Sequence, residues 1–205
     1  MSLAWWLAGG AALLVLVVGP RLLPDDFDAR SGSLVDAVTG VPVAGATVVA
    51  SWSGFTDAFR NQQAVAHVEV AVTDAQGRWR LAGWPPGRDT TFRDVRVDRW
   101  AAAPGRPVAG VTVALGSSTS RLGPVAADDK SRAEALRDAF MHSRVFGSLA
   151  RDGSGEALVP LQLSLIAGIE QLPPSAENLD TLTWARTGIA ATRNTASAAH
   201  ASRSR

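Results

Sequence analysis

Apolar and polar residues alternate along the first half of this chain and recur every three to four positions along the second. In 46–52, Ala46, Val48, Ala50 and Trp52 fall on one side of an extended segment and Thr47, Val49 and Ser51 on the other, the period of a half-buried strand. Stretch 64–73 alternates more strictly, with Ala66, Val68, Val70 and Val72 on one face and Val65, His67, Glu69, Ala71 and Thr73 on the other. Asp74-Ala-Gln-Gly77 then supplies a tight hairpin that sends Trp79 and Leu81 inward between Arg78 and Arg80. Segments 95–100 and 108–115 read as two further strands, 53–63 as a long polar loop, and Gly83-Trp84-Pro85-Pro86-Gly87 as a rigid one. From Asp128 the period becomes helical: Ala133, Leu136, Phe140 and Ser143 form one stripe behind an acidic start that suits the helix dipole. Arg151-Asp-Gly-Ser-Gly155 interrupts it, and Leu158, Leu161, Leu165, Ile169 and Leu172 form a second stripe that ends at Pro173-Pro174. Ser175 is placed to cap a third helix through Leu179, Leu182 and Trp184, while the Ala/Ser/Arg-rich tail after Asn194 reads as disordered.

Ahead of the first strand pair, Gly32-Ser-Leu34-Val-Asp36-Ala-Val-Thr39-Gly40-Val-Pro42-Val-Ala-Gly45-Ala46-Thr-Val48 packs turn formers between two extended runs, with Gly40 free to take positive φ and Pro42 fixing its own. This run, with Leu34 in place of the usual first Val, resembles the opening of the carboxypeptidase regulatory-like domain family, a transthyretin-like β-sandwich. Thr73-Asp74-Ala-Gln-Gly77-Arg-Trp79 resembles that family's second hairpin. The resemblance covers roughly residues 31–116 and implies an accessory, non-catalytic module. The expected fold is therefore mainly β, a Greek-key sandwich of six or seven strands, with an N-terminal transmembrane helix and a C-terminal helical appendage. The boundaries read as 1–24 anchor or uncleaved signal-like segment, 25–30 linker, 31–116 sandwich, 117–127 linker, 128–193 helical appendage and 194–205 tail.

The anchor expectation rests on Leu3 to Val18, a run without a charge that meets Gly19-Pro20-Arg21 and then Asp25, Asp26 and Asp28. Its length lies between a signal h-region of about 7–15 residues and a span of about 17 or more. No Ala-x-Ala-like site follows, and Pro20 obstructs cleavage after Gly19, which favours an uncleaved anchor over a signal; a buried apolar helix is the remaining reading. The body is expected outside the cytoplasmic membrane, in the periplasm, because the sandwich is a common extracytoplasmic module, although Arg21 just after the run opposes the usual charge bias.

Charge and composition narrow the chemistry. A net charge of +1 argues against nucleic acid as a partner, and the absence of Cys excludes disulfides and thiolate metal sites. Lys130 alone breaks an all-Arg basic set, which with the Ala content points to a GC-rich bacterial genome. There is no nucleophile elbow, phosphate loop or dinucleotide fingerprint. The resemblance brings no peptidase, since the chain has no His-x-x-Glu pair, and the hydroxyisourate hydrolases of the same fold carry a Tyr motif that a chain without Tyr cannot supply. No catalytic residue and no cofactor are expected.

Two constellations remain. His67 and Glu69 sit two apart on one strand face, a candidate metal- or carbohydrate-binding pair if a third ligand converges from a neighbouring strand, or simply a partly exposed His beside a charge. Trp52, Phe55, Phe59 and Trp84 gather in or beside two loops, either a surface for a protein or glycan partner or plugs for the sandwich ends. The helical stripes pack on their own sheet or, if exposed around Leu161, Leu165 and Ile169, dock a partner. The functional expectation is a membrane-anchored binding or structural module of the bacterial envelope with a protein partner; a small-molecule ligand is left open.

Overall fold

The computed structural model describes residues 28–56, 63–84, 92–111 and 118–203. The expected anchor, and Phe59 with it, lie outside these. Among the described residues, seven strands form two sheets, with three α-helices following. The strands are β1 (Arg30–Asp36), β2 (Thr47–Phe55), β3 (Gln63–Val72), β4 (Arg78–Leu81), β5 (Arg93–Ala102), β6 (Ala109–Gly110) and β7 (Thr119–Leu122). The smaller sheet runs β4-β1-β7 and the larger β3-β2-β5-β6. All pairs are antiparallel except β1 with β7, which run parallel from Ser33 opposite Thr119 to Asp36 opposite Leu122.

The two sheets close on a shared core of Leu34, Trp79, Leu81 and Leu122 from one side and Val48, Ala50, Trp52 and Ala101 from the other. The turn motif acts as its residue types demand. Gly40 takes φ 71°. Asp36 Oδ1 accepts from the backbone N–H groups of Val38 (3.0 Å) and Thr39 (2.9 Å), and Arg106 Nη1 donates to its other oxygen at 2.5 Å and to the Gly123 carbonyl at 2.7 Å. The Arg106 guanidinium, followed by the two amides, holds the Asp36 carboxyl far below the usual carboxylate range. In the second hairpin Gly77 takes φ 70°, and a Cβ there would meet the Leu34 carbonyl oxygen at 2.4 Å, so only glycine fits.

Helix α1 (Asp129–Leu149), a 3-10 turn (Ser154–Leu158), α2 (Val159–Glu170) and α3 (Ala176–Arg203) form a third layer. Asp128 caps α1 by accepting from Ser131 N at 2.8 Å, and Ser175 caps α3 by accepting from Asn178 N at 3.1 Å. Both stripes point inward: Leu136, Phe140, Leu158, Leu161, Leu165 and Ile169 join Val49, Val68 and Trp100 of the larger sheet in a second core. Trp100 stacks on Phe146 at 6.0 Å.

Four expectations are corrected here and one alternative, whether the second helical stripe packs on the sheet or stands exposed, is decided for packing. The helices are a layer on the sheet and not an appendage, so strand β2 is buried on both faces, Thr47, Ser51 and Ser53 included. The stripe around Leu161, Leu165 and Ile169 is covered and offers no docking surface. Residues 119–122, read as linker, are strand β7, and Ser53 to Phe55, read as loop, complete β2. The tail is helical to Arg203, because Ala196 and Ala199 bury themselves against Gly153 of the inter-helix loop.

Candidate functional site

Among the described residues, a polar cluster forms at the edge strand β3, where the sandwich meets the helices. A register shift after Trp52 sets Val65 opposite Ser53 and His67 opposite Trp52. The extra residue turns the start of the strand over: Ala64 and Ala66 enter the inter-sheet core, whereas Val65 joins Val68 in the core under the helices. Strict alternation had assigned Val65 and Ala66 the other way round. His67 keeps the face expected of it, and its ring is caught between two indoles, 5.7 Å from Trp84 and stacked at 13°, and 5.4 Å from Trp52.

The outer edge of β3 is closed by the loop between α1 and α2. Ala150 makes a parallel bridge to Val65, Arg151 N donates to the Val65 carbonyl at 3.0 Å, and the Ser154 hydroxyl accepts from Val68 N at 2.7 Å. His67 Nδ1 lies 2.6 Å from Asp152 Oδ2, while the Ser154 hydroxyl donates to Asp152 Oδ1, which also accepts from Ser154 N at 2.9 Å. Burial pushes the Asp152 carboxyl up, but the hydrogen bonds from His67 and Ser154 outweigh it and leave it below its ordinary range. Asp, His and Ser are thus together without the relay of a nucleophilic triad: Ser154 and His67 bond the same carboxylate, and Ser154 is not the partner of the imidazole.

Glu69, two residues on along the same strand face, takes other partners. Its two oxygens accept from the backbone N–H groups of Ala82 and, at 2.8 Å, Gly83, which fixes the chain just ahead of Trp84 and holds that indole over His67. His67 and Glu69 therefore take separate partners, and among the described residues no group of three or more His, Cys, Asp or Glu side chains is placed to hold a metal. Of the aromatic candidates, Trp52 is 1% and Trp84 6% exposed, both within the inter-sheet core, and Phe55 is half-buried at the end of β2. The Trp52 indole nitrogen is buried with no hydrogen-bond partner. Asp152 and Ser154 were not singled out from sequence, although a Gly-flanked Asp-x-Ser break between helices is the composition of a side-chain-capped turn.

No family of known proteins and no curated protein matches this chain. Among solved structures, a 9R-lipoxygenase from Cyanothece PCC8801 aligns over 78% of this chain and 29% of its own length, at 13% identity and a TM-score of 0.26. Likeness at that level carries no argument about fold or activity.

Proposed function

We propose that this chain is a non-catalytic binding or structural module of the bacterial cell envelope, tethered to the cytoplasmic membrane by residues 3–18, with its sandwich and helical layer on the extracytoplasmic side. The observation that carries the reading is the state of the reactive side chains at the seam. His67, Asp152, Ser154 and Glu69 each spend their bonds joining one element to another. The likeness of 32–48 to the opening of carboxypeptidase regulatory-like domains, and of 73–79 to their second hairpin, supports an accessory role, and the uncharged run of Leu3 to Val18 supports the tether. Alkaline extraction of membranes tests it: the full chain stays with the lipid, and a chain lacking residues 1–24 is released. Release of the full chain, or an activity lost in Asp152→Asn while its fold is kept, overturns the reading.

A further inference from the structure

The outer face of the β4-β1-β7 sheet is open to solvent, unlike the outer face of the larger sheet. Its outward positions are Ser31, Ser33 and Val35 of β1, Arg78 and Arg80 of β4, and Thr119 and Arg121 of β7. Three arginines and three hydroxyls thus share one face with a valine, and no outward strand position is a carboxylate. Pairing sets Arg78 beside Ser33 and Ser33 beside Thr119, with the two hydroxyls 3.0 Å apart, and sets Arg80 beside Ser31 and Arg121 beside Val35. Asp74 at the hairpin neutralises Arg78 at 2.8 Å. Arg121 donates a long hydrogen bond to the Ala37 carbonyl, and neither it nor Arg80 makes an ion pair among the described residues.

From these positions we infer that this face binds an anionic glycan, a chain of sugars bearing carboxylates or phosphates, lying diagonally from Arg80 to Arg121. The proposal rests on the reading of the chain as a binding module but not on its tether. Four residues along β1 and two strand spacings separate the two guanidinium-bearing positions by about 16 Å, room for several units of an extended polymer. Planar guanidinium groups match carboxylate and phosphate oxygens two bonds at a time, and the hydroxyl row between them meets sugar hydroxyls as donor or acceptor. A nucleic acid suits the face less well: its outward positions carry no aromatic to stack a base, and the chain's net charge is only +1.

The test is affinity electrophoresis of the full chain in neutral detergent, through gels holding polygalacturonate, poly(glycerol phosphate), dextran, polyglutamate or poly(dT). Retardation is expected from at least one of the first two, which tells carboxylate from phosphate, and not from neutral dextran. Replacing Arg80 or Arg121 by Gln should weaken binding about tenfold each, and the double variant should migrate as it does in dextran. Arg186→Gln with Arg193→Gln, which removes the same charge from exposed sites on α3, should leave retardation intact. The proposal is overturned if neither anionic glycan retards the chain, if the α3 variant loses as much as the face variant, or if polyglutamate or poly(dT) binds as tightly as the glycans. Alkaline extraction and the fold of Asp152→Asn report on the module reading separately, so failure of the one is distinguishable from failure of the other.

Discussion

The larger sheet and the smaller one share a core but differ in what lies behind them. Behind β2 and β5 stands a helical layer, and β2 is buried at every position from Thr47 to Gly54. Behind β4 and β7 stands solvent, and both alternate strictly, exposed then buried. Alternation in sequence describes the second sheet correctly and misdescribes the first, because Thr47, Val49 and Ser51 look like an outward row yet are buried, Val49 in the core shared with the helices. The Ser51 hydroxyl is satisfied there by donating to the Asp98 carbonyl at 3.4 Å. Two-sided burial is therefore a property of the whole chain, supplied by residues a hundred positions downstream.

The comparison can be broken most forcefully from the helical side. Leu165→Ala empties a fully buried site in the second core and should cost about 2–5 kcal/mol in urea unfolding. Amide exchange should then rise in β2 and β3 as well as in the helices; protection unchanged in the strands would make the helices an independent appendage after all. Gly155→Ala comes next, at about 2 kcal/mol or more, because its Cβ would stand 2.1 Å from the Gly147 carbonyl oxygen where α1 meets the 3-10 turn. An Ala variant as stable as the parent would show that this junction yields.

Acid sharpens the contrast at single carboxylates. The Asp36 carboxyl is held low in the folded state, so its contribution is whole at neutral pH and drains away as the pH falls below about 4. Asp36→Asn should lower stability at pH 7 and flatten that acid limb, read by thermal unfolding from pH 7 to pH 2. Asp152 is lowered in the same direction against an opposing burial effect, so Asp152→Asn should change the acid limb less, while altering near-ultraviolet dichroism from Trp52 and Trp84 beside His67. Smallest of all, Arg80→Gln on the open face should shift stability by about 0.5 kcal/mol or less. A larger loss would mean that this face is covered too.

Much of the fold was legible from the residues themselves. The Leu34-to-Val48 turn, the Asp74–Gly77 hairpin, the Asp128 and Ser175 caps and both helical stripes follow from spacing and residue type, because each is decided within a few positions. What escaped depends on distant chain. Strand β7 has only four residues and two polar outward positions, and it becomes a strand because β1 offers it an edge 86 residues away. The register shift beside Trp52 leaves no mark in the pattern of 64–73. The third helix continues past Asn194 because Ala196 and Ala199 meet Gly153, a contact that composition alone reads as disorder. At the seam, His67 and Glu69 were found but paired with each other, since spacing along one strand says nothing of Asp152 arriving from the loop behind α1.

The parallel pairing of β1 with β7 also sets an order of events. Strand β1 leaves the ribosome well before β7 and waits for it before its second edge is occupied, and loop closure over that separation is among the slower steps a small domain undertakes. Until then β1 can pair only with β4, and the face bearing Arg78 and Arg80 is two strands wide. The smaller sheet is completed last along that edge, with residues 119–122 as the closing stitch.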